Sequence, residues 1–400
     1  MRIVHRILSV IVCLVFLYLG VTGSLIQILD LEETLSGAPE SSIGMQSINE
    51  GKSGHPDYAV LTSGDYTAAP LPETLDIVKA FETILRGLHE QRPDSSQPTF
   101  VEMRSPDGTT IGQAHFGQTA FNPNHPEEGL VAVDAMTGAA VHSVAVPPPI
   151  PPHSFRETLK KWHRFWVHHD VPGVYAELLA GIALWALLIT GLTMYFRLLK
   201  QRRRIGRKQF FWTVGGRLRG YHRAVSIIAA ALLIVVAFSG TWLGFESSWH
   251  TFAAPPPHTP TPELSDADVL DMVGATVQAL RLAEPSVRIK VLRVRGYGGM
   301  KQGVVITDEP VMRQLVFDTA TGKEVSLTEP GYPSSGFPFG LQMHEDIKHL
   351  HSGFLFGIWA RVLDLLAGLS LIFLCVSGLI VYFDMWNKRR SGGRGQFIWK

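Results

Sequence analysis

The stretch VHRILSVIVCLVFLYLGVTG (residues 4–23) decides the fold of this chain, because a similar stretch, YHRAVSIIAAALLIVVAFSG, follows at residues 221–240. Each begins near a His-Arg pair, at His5 and at His222, and continues as an apolar run that ends in Thr-Gly or Ser-Gly. An apolar run of about 18 residues or more is long enough to cross a bilayer as a helix. The repetition therefore predicts two equivalent membrane helices, each with a histidine at its start.

Four such apolar runs occur in the 400 residues, at 7–29, 173–197, 224–246 and 355–383. Backbone polar groups cannot stay unpaired in lipid, so each run is predicted to be a helix. Lys and Arg are dense in RLLKQRRRIGRK (197–208) and in the C-terminal NKRRSGGRGQFIWK (387–400). The positive-inside rule places both segments, and the N-terminus, in the cytoplasm. Residues 30–172 and 247–354 are then predicted to lie outside.

The N-terminus allows a second interpretation. Residues 1–24 have a basic start and a short apolar core, as a cleavable signal peptide does. The apolar run is long for a signal peptide, and no clear A-x-A cleavage site follows it. These two features favour an uncleaved helix.

Cysteine usage limits the chemistry. The two cysteines, Cys13 and Cys375, both lie inside predicted membrane helices. They cannot build a disulfide framework, a zinc cluster or a C-x-x-C-H covalent haem site. The segments outside the membrane are therefore expected to fold around their own hydrophobic core.

The duplication extends along the whole chain. LLAGIALWALLITGLTMYF (178–196) aligns without a gap with LLAGLSLIFLCVSGLIVYF (365–383). VAVDAMTGAAV (131–141) matches LVFDTATGKEV (315–325), each a predicted strand, Asp-x-x-Thr-Gly turn and strand. Helices are predicted upstream of each, at 72–91 and 265–282. Pro-rich segments at 146–153 and 254–262 are predicted to be stiff connectors. The unit is helix, α+β module, helix, present twice in one orientation, with a pseudo-two-fold axis along the membrane normal.

Histidines occur at equivalent places in the two repeats. His5 and His222 lie at the predicted cytoplasmic starts of the first and third helices, and His163 and His351 at the outer starts of the second and fourth. Interfacial histidine can be merely tolerated at the headgroup level, but an ionisable group at membrane depth is by default a functional candidate. Neutral imidazole is a metal ligand, and two from facing helices can hold a haem iron axially.

Other residues near these histidines are candidates for the same site. Arg6, Arg164 and Arg223 each follow a candidate histidine and could pair with haem propionates, or could simply snorkel. Small residues on the same helices would let backbones approach or admit a flat ring: they are Gly20, Gly23, Gly181, Gly240, Gly368 and Gly378.

A second histidine cluster lies just outside the outer helix starts, and comprises His168, His169, His344 and His349. With Asp170, Glu345 and Asp346 it could bind iron or a substrate, or be a solvated interfacial cluster. His168, His169 or His349 could also replace a predicted outer ligand. His163 is preferred over its neighbours because it matches His351 in the repeat.

In these features the chain resembles the PepSY-associated transmembrane helix family, and within it the bacterial inner-membrane ferrisiderophore reductases. The resemblance rests on VHRILS, WHRFW, YHRAVS, LHSGFLFG, the Thr/Ser-Gly helix ends and the Asp-x-x-Thr-Gly-x-x-Val strand pairs. It implies a four-helix membrane domain that carries two b-type haems on histidines, with two periplasmic α+β PepSY-like modules. It also implies transfer of electrons from the cytoplasmic side to ferric siderophores outside, which releases iron as Fe(II).

The expected organisation follows the repeat, with eight segments: 1–29 transmembrane helix 1, 30–160 PepSY-like module 1, 161–198 His-rich start and helix 2, 199–220 basic cytoplasmic loop, 221–246 helix 3, 247–343 module 2, 344–386 His-rich start and helix 4, and 387–400 basic cytoplasmic tail.

The partners follow from what the sequence does not contain. No Rossmann glycine pattern or flavin motif occurs, so a cytoplasmic flavoprotein or a membrane quinol is expected as the electron donor. No nucleic-acid partner is expected. The alternative is a non-enzymatic PepSY membrane anchor or regulator that binds a periplasmic protein or peptide. That alternative predicts no haem.

Overall fold

A computed structural model of the protein describes residues 2–39, 42–49, 68–92, 97–116, 130–141, 155–165, 171–252, 263–297, 300–310, 312–325 and 338–397. The helices in these ranges are α1 Arg2–Leu35, α2 Ile43–Asn49, α3 Ile77–Gln91, α4 Phe155–Phe165, α5 Val171–Arg204, α6 Arg217–Ile228, α7 Ala230–Phe252, α8 Asp266–Ala283, α9 Leu341–His351 and α10 Gly357–Ser391. The strands are β1 Phe100–Arg104, β2 Ile111–His115, β3 Leu130–Asp134, β4 Ile289–Tyr297, β5 Met300–Thr307, β6 Gln314–Asp318 and β7 Lys323–Glu324.

Four of these helices are long and apolar enough to cross a membrane, which confirms the predicted number of spans: Arg2–Leu35, Tyr175–Arg204, Ala230–Trp249 and Gly357–Ser391. The first, second and fourth extend beyond their apolar runs, since polar and basic residues continue the helix, whereas the third begins six residues later than its run because the chain breaks at Ala229. The protein is therefore a multi-pass membrane protein. We call the end of the bundle where α1 begins and α5 and α10 end the basic end, and the opposite end the sheet end.

Small residues bring the four spans together in pairs. Helix α1 packs along α10, and a Cβ on Gly20 would lie 3.4 Å from the Gly368 carbonyl oxygen. Helix α5 packs along α7, where a Cβ on Gly181 would collide with the Thr241 hydroxyl. Close backbone approach of this kind drives helix association in lipid, where apolar burial contributes little. These three glycines are therefore helix contacts.

Three of the candidate histidines lie on separate short helices that precede the spans. His163 is in α4, His351 is the last residue of α9, and His222 is in α6, which breaks from α7 at Ala229. Only His5 lies on a spanning helix itself. A short helix joined by a turn can lie across the end of the bundle, so its histidine can point at a different span from the one that follows it.

The strands of both repeats form one sheet of seven antiparallel strands, in the order β3-β2-β1-β4-β5-β6-β7. The repeats meet where β1 pairs with β4, from Phe100 opposite Arg295 to Arg104 opposite Val291. The sequence predicted two modules, and the structure joins them edge to edge. The joint removes two exposed edge strands, which would otherwise invite pairing with other chains.

One face of this sheet is covered by α3 and α8, the helices predicted upstream of each strand set. Helix α8 begins with a Ser265 cap, whose hydroxyl accepts from the Asp268 amide while the Asp268 carboxylate accepts from the Ser265 amide. Fully buried side chains such as Phe81 and Leu292 join both helices to both halves of the sheet in one core. The α+β unit therefore has the core that the absence of disulfides required.

The predicted Asp-x-x-Thr-Gly turns are present in both repeats. Asp134 accepts hydrogen bonds from the Met136 and Thr137 amides, and Asp318 accepts from the Ala320 amide. The glycine that ends each turn has a positive φ, 78° at Gly138 and 66° at Gly322, which L-residues with a side chain rarely adopt. The proline-rich connectors at 146–153 and 254–262 lie outside the described residues.

A further repeat appears at the basic end. GRKQFFW (206–212) and GRGQFIW (393–399) are separated by the same 187 residues that separate the aligned spans. After the positive-φ glycine of each segment the chain turns back along the helix. The Tyr195 hydroxyl then donates to the Phe210 carbonyl at 2.6 Å, and Tyr382 donates to the Phe397 carbonyl. Both basic segments are thus held against the membrane domain.

We expect the sheet unit to lose a small part of its stability on acidification. Arg313 donates to Glu284 and to Glu309, and these bonds hold the pKa values of both carboxyls below their usual range. A lowered pKa in the folded state stabilises above the unfolded pKa, and that stabilisation is lost as pH falls through the folded pKa.

Arg313→Gln is therefore expected to lower the free energy of unfolding by about 0.5–1 kcal/mol at pH 7, the range of exposed ion pairs. The difference from the wild type should shrink towards zero near pH 3. Thermal unfolding of both proteins at the two pH values measures it. An equal difference at both pH values would show that the ion pairs are not its source.

Candidate functional site

The four repeat-equivalent histidines share one environment. Each Nδ1 lies against the hydroxyl of a Thr/Ser-Gly pair on another helix. His5 meets Thr190 at 2.9 Å and His222 meets Ser377 at 2.8 Å. His163 meets Thr22 at 2.8 Å and His351 meets Ser239 at 2.9 Å. Within each repeat, the histidine at or before the start of one span is therefore held by a hydroxyl of the other span.

The hydroxyls determine which ring nitrogen carries the proton. The Thr22, Thr190 and Ser239 hydroxyls donate to the carbonyl four residues earlier in their own helices, at 2.6–2.8 Å. The Ser377 hydroxyl donates to the Leu374 carbonyl. Since the hydroxyl proton is engaged, the hydroxyl oxygen accepts and Nδ1–H donates. The lone pair then lies on Nε2, which is the nitrogen left to bind a metal.

The glycine after each hydroxyl leaves room for the ring. A Cβ on Gly23 would lie 3.2 Å from Cε1 of His163, and one on Gly240 would lie 3.3 Å from Cε1 of His351. A Cβ on Gly191 would lie 3.3 Å from Cε1 of His5, and one on Gly378 would lie 3.4 Å from that of His222. The Thr/Ser-Gly pair is thus a seat for an imidazole: the hydroxyl orients it and the glycine admits it.

The two outer histidines face each other across the bundle. The ring centroids of His163 and His351 are 6.3 Å apart, with ring planes inclined by 38°. Both rings line a cavity of about 540 Å³ between the spans. Its walls near the histidines are apolar and include Phe16, Leu184 and Leu371. Towards the sheet end the lining becomes polar and charged.

The inner histidines are also seated near each other. His5 is half-buried near the start of α1 and His222 is half-buried in α6, and the two are close enough to interact electrostatically. Their seats, Thr190 and Ser377, lie on α5 and α10 at the basic end. The bundle thus places one pair of seated histidines towards each end.

The outer pair fits a haem iron. A nitrogen–metal bond of about 2 Å on each side, with about 1 Å from each nitrogen to its ring centre, gives centroids about 6 Å apart. The observed 6.3 Å agrees with that spacing. The free nitrogen is Nε2 on both rings, and the apolar cavity walls suit a porphyrin. His163 and His351 would hold the outer haem, and His5 and His222 the inner one.

The structure places the three arginines differently from one another. Arg164 lines the outer cavity, where it could meet a haem propionate, together with Arg156, Lys160 and Lys348. Arg223 instead donates to the Trp212 and Val214 carbonyls at 2.8 and 2.9 Å and stacks on the Trp212 ring. The Arg6 Nε donates to the Arg2 carbonyl. In the described structure Arg223 holds the basic loop against the bundle.

The second histidine cluster is only partly described. His168, His169 and Asp170 lie outside the described residues. His344 and His349 both line the outer cavity. His344 meets the buried Glu246 carboxylate through Nδ1 at 2.8 Å, and His349 packs on Phe354. The described part of the chain contains no group of three or more His, Cys, Asp or Glu that could hold a metal ion.

The cysteines meet inside the bundle. Cys13 and Cys375 are free thiols, and the Cys13 thiol donates to the Cys375 carbonyl at 3.5 Å. They belong to the contact between α1 and α10.

We expect the seats to control haem retention. Thr22→Val keeps the side-chain shape but removes the acceptor for the His163 Nδ1–H, so haem should leave the outer site about 10–100-fold faster. Thr22→Ser keeps a hydroxyl and should retain haem like the wild type. The rate of haem transfer to an excess of an apo-globin measures this. Equal rates for Thr22→Val and the wild type would show that the hydroxyl does not position the ligand.

Four spans, two pairs of seated histidines and one α+β sheet unit define this protein as an integral membrane protein with hydroxyl-bonded histidines in its bundle. A model of the PepSY-associated TM region matches residues 2–385. The chain therefore belongs to the PepSY-associated transmembrane family. A comparison with curated proteins found no match.

Proposed function

We propose that the protein is a b-type dihaem electron carrier of a bacterial inner membrane, which reduces ferric siderophores on its periplasmic side. One observation carries the proposal: in four histidines Nδ1 is hydrogen-bonded to a Thr or Ser hydroxyl, which leaves Nε2 to bind a metal. A bound haem iron supplies reversible one-electron chemistry. A membrane anchor without haem has no need for two pairs of oriented imidazoles.

The orientation in this proposal follows from charge. The basic end carries Arg202, Arg203 and Arg204 at the end of α5, and Lys388, Arg389 and Arg390 at the end of α10. The positive-inside rule places this end in the cytoplasm. The sheet unit then lies in the periplasm, and the outer cavity faces it. The inner histidine pair is nearest to a cytoplasmic or quinol donor.

The proposed substrate suits the outer site chemically. One electron converts Fe(III) in the chelate to Fe(II), and the lower charge weakens the attraction of the anionic oxygen donors for the metal. The cavity mouth carries Arg156, Lys160, Arg164 and Lys348. Arg156 and Lys348 are paired there with carboxylates, so a ferric chelate would meet ion pairs at this mouth. His344 and His349 lie on the same wall and can hydrogen-bond the chelate.

The experiment uses the purified full chain in detergent. An oxidised and a dithionite-reduced spectrum, with haem quantified per chain, should give a reducible Soret band and about two haems. The reduced protein is then mixed without oxygen with a ferric siderophore and a ferrous chelator. Rapid reoxidation with one Fe(II) trapped per electron is expected.

The matched control is the gallium(III) complex of the same siderophore, which has the same shape but accepts no electron. It should leave the reduced spectrum unchanged. A colourless protein would contradict the haem assignment and favour the anchor or regulator. A haem protein that no ferric chelate reoxidises faster than buffer does would have another electron acceptor.

A further inference from the structure

Two carboxyl groups inside the membrane domain have no part in the site described so far. Glu177 lies on α5 and Asp364 on α10, and the 187-residue offset that relates the two helices also relates these residues. Both line the outer cavity, which His163 and His351 also line. Acidic residues within spans are rare and mark ion or proton pathways. The duplication thus puts one carboxyl from each of the two related helices into the cavity of the outer histidine pair.

Neither carboxyl forms an ion pair within the described part of the chain. Oε1 of Glu177 is buried and has no hydrogen-bond partner there. Oδ2 of Asp364 accepts from Nε2 of Gln27 at 2.6 Å, and the same Nε2 donates to the Ser352 carbonyl at 2.8 Å. Burying a charge without a partner is costly, so each of these groups is ionised only while a positive charge lies close to it, and takes up a proton when that positive charge is lost.

The cations around the cavity are already engaged. Arg156 pairs with Asp30 and Glu157, and Lys348 pairs with Glu345. Lys160 lies 4.0 Å from Glu157. Arg164 is the charged neighbour of Glu177, and Tyr18 of α1 lies near it.

The remaining titratable groups on the cavity wall are histidines. From α9, His344, His349 and His351 face the cavity, and His344 is already bonded to Glu246. From α4, His163 faces it with Nδ1 on its seat. From α7, the cavity lining described contributes Ser247 and no charged group. Glu177 and Asp364 are therefore the uncommitted carboxyls beside the outer pair.

We propose that Glu177 and Asp364 are the proton-accepting groups of the outer site, and that gain of an electron there is accompanied by uptake of a proton at one of them. An added negative charge in a cavity with apolar walls needs a nearby positive charge to offset it. The proton comes from the outer aqueous phase through the polar mouth of the cavity. When the electron passes to Fe(III), the proton returns to that phase, so charge and atoms balance. The inference rests on the proposed function.

The test is the midpoint potential of each haem as a function of pH, measured by spectroelectrochemistry on the full chain with both haems bound. One proton per electron changes the reduction equilibrium tenfold per pH unit, which is about 59 mV. The outer component of the wild type should approach this slope between about pH 6 and 8, the physiological range. Glu177→Gln and Asp364→Asn should each reduce it, and the double variant should flatten it. The inner component should not change.

Two variants that retain a carboxyl group distinguish an effect on proton uptake from an effect on packing. Glu177→Asp and Asp364→Glu should retain the slope even if haem affinity falls. Asp384→Asn, at the basic end of the same α10 helix, is the matched control and should leave the outer slope intact. A pH indicator dye should report about one proton taken up on reduction of the wild type and none for the double variant.

The outcomes are distinct. A wild-type outer potential that does not depend on pH, or a double variant with the full slope, would overturn the inference while leaving the dihaem proposal in place. A chain that binds no haem would overturn both, since no electron would enter the cavity.

Discussion

Replacing His351 by alanine is expected to remove the outer haem, to lower the haem content by about half and to abolish reduction of ferric chelates. The ring of His351 faces that of His163 at 6.3 Å and is seated on Ser239. A single remaining imidazole leaves one axial position open and the seat empty, so the cavity loses its specific hold on the haem. Haem per chain and the rate of Fe(II) release measure the result.

The inner haem provides the internal control for this variant. It should remain bound and still be reduced from the basic side, because His5 and His222 are seated on different residues. Met343→Ala is the matched variant, since Met343 is exposed on the same helix α9 and should change neither measurement. Full haem content in His351→Ala would contradict the assignment. The choice of His163 would be contradicted if His168→Ala or His169→Ala lost a haem while His163→Ala retained both haems.

The membrane part of the fold was predictable because its signals are local or repeated. Apolar length fixes each span, and a repeat offset of 187 residues relates Thr190 to Ser377 and Gly181 to Gly368. His163 was chosen in preference to its neighbours because it lies 28 residues before Gly191, while His351 lies 27 residues before Gly378. The structure places that histidine opposite His351, at a distance that a shared metal can bridge.

The seats themselves were not predicted, although their residues were visible. The Thr/Ser-Gly pairs aligned the repeats and supported the family resemblance, and their glycines were expected to admit a flat ring, but no contact between the hydroxyls and the histidines was predicted. Their role depends on which helix crosses which, and that is set by contacts such as those between α1 and α10 and between α5 and α7. The available signal was that a hydroxyl precedes glycine in all four spans, at Thr22, Thr190, Ser239 and Ser377.

Two other features needed the tertiary structure for the same reason. The pairing of β1 with β4 joins strands from different repeats, and such distant pairing leaves no local pattern. Arg223 was a candidate for a propionate because it follows His222. The structure shows instead that the loop after α5 turns back and presents the Trp212 and Val214 carbonyls to it. The repeated GRxQFxW segment was the sequence signal for that turn.

Alanine at His5 or at His222 is expected to remove the inner haem and to stop electron transfer across the membrane. Each single change should lower the haem content by about half, because each deletes one of two axial ligands. The outer haem should stay bound on His163 and His351, and dithionite should still reduce it in detergent. In proteoliposomes, however, a reductant confined to the basic side should no longer reduce the outer haem. No haem is then left near the basic side to carry electrons into a bilayer core that is about 30 Å thick.

Tyr221→Phe is the matched control for this pair, since Tyr221 is exposed beside His222 on helix α6. It should retain both haems and full transfer from the basic side. The seats add a second check, because Thr190→Val acts only on His5 and Ser377→Ala only on His222. Each should loosen the inner haem alone, and the effect of Thr190→Val should vanish in a His5→Ala background. Full haem content in both His5→Ala and His222→Ala would mean that the inner histidines are seated for a purpose other than holding haem.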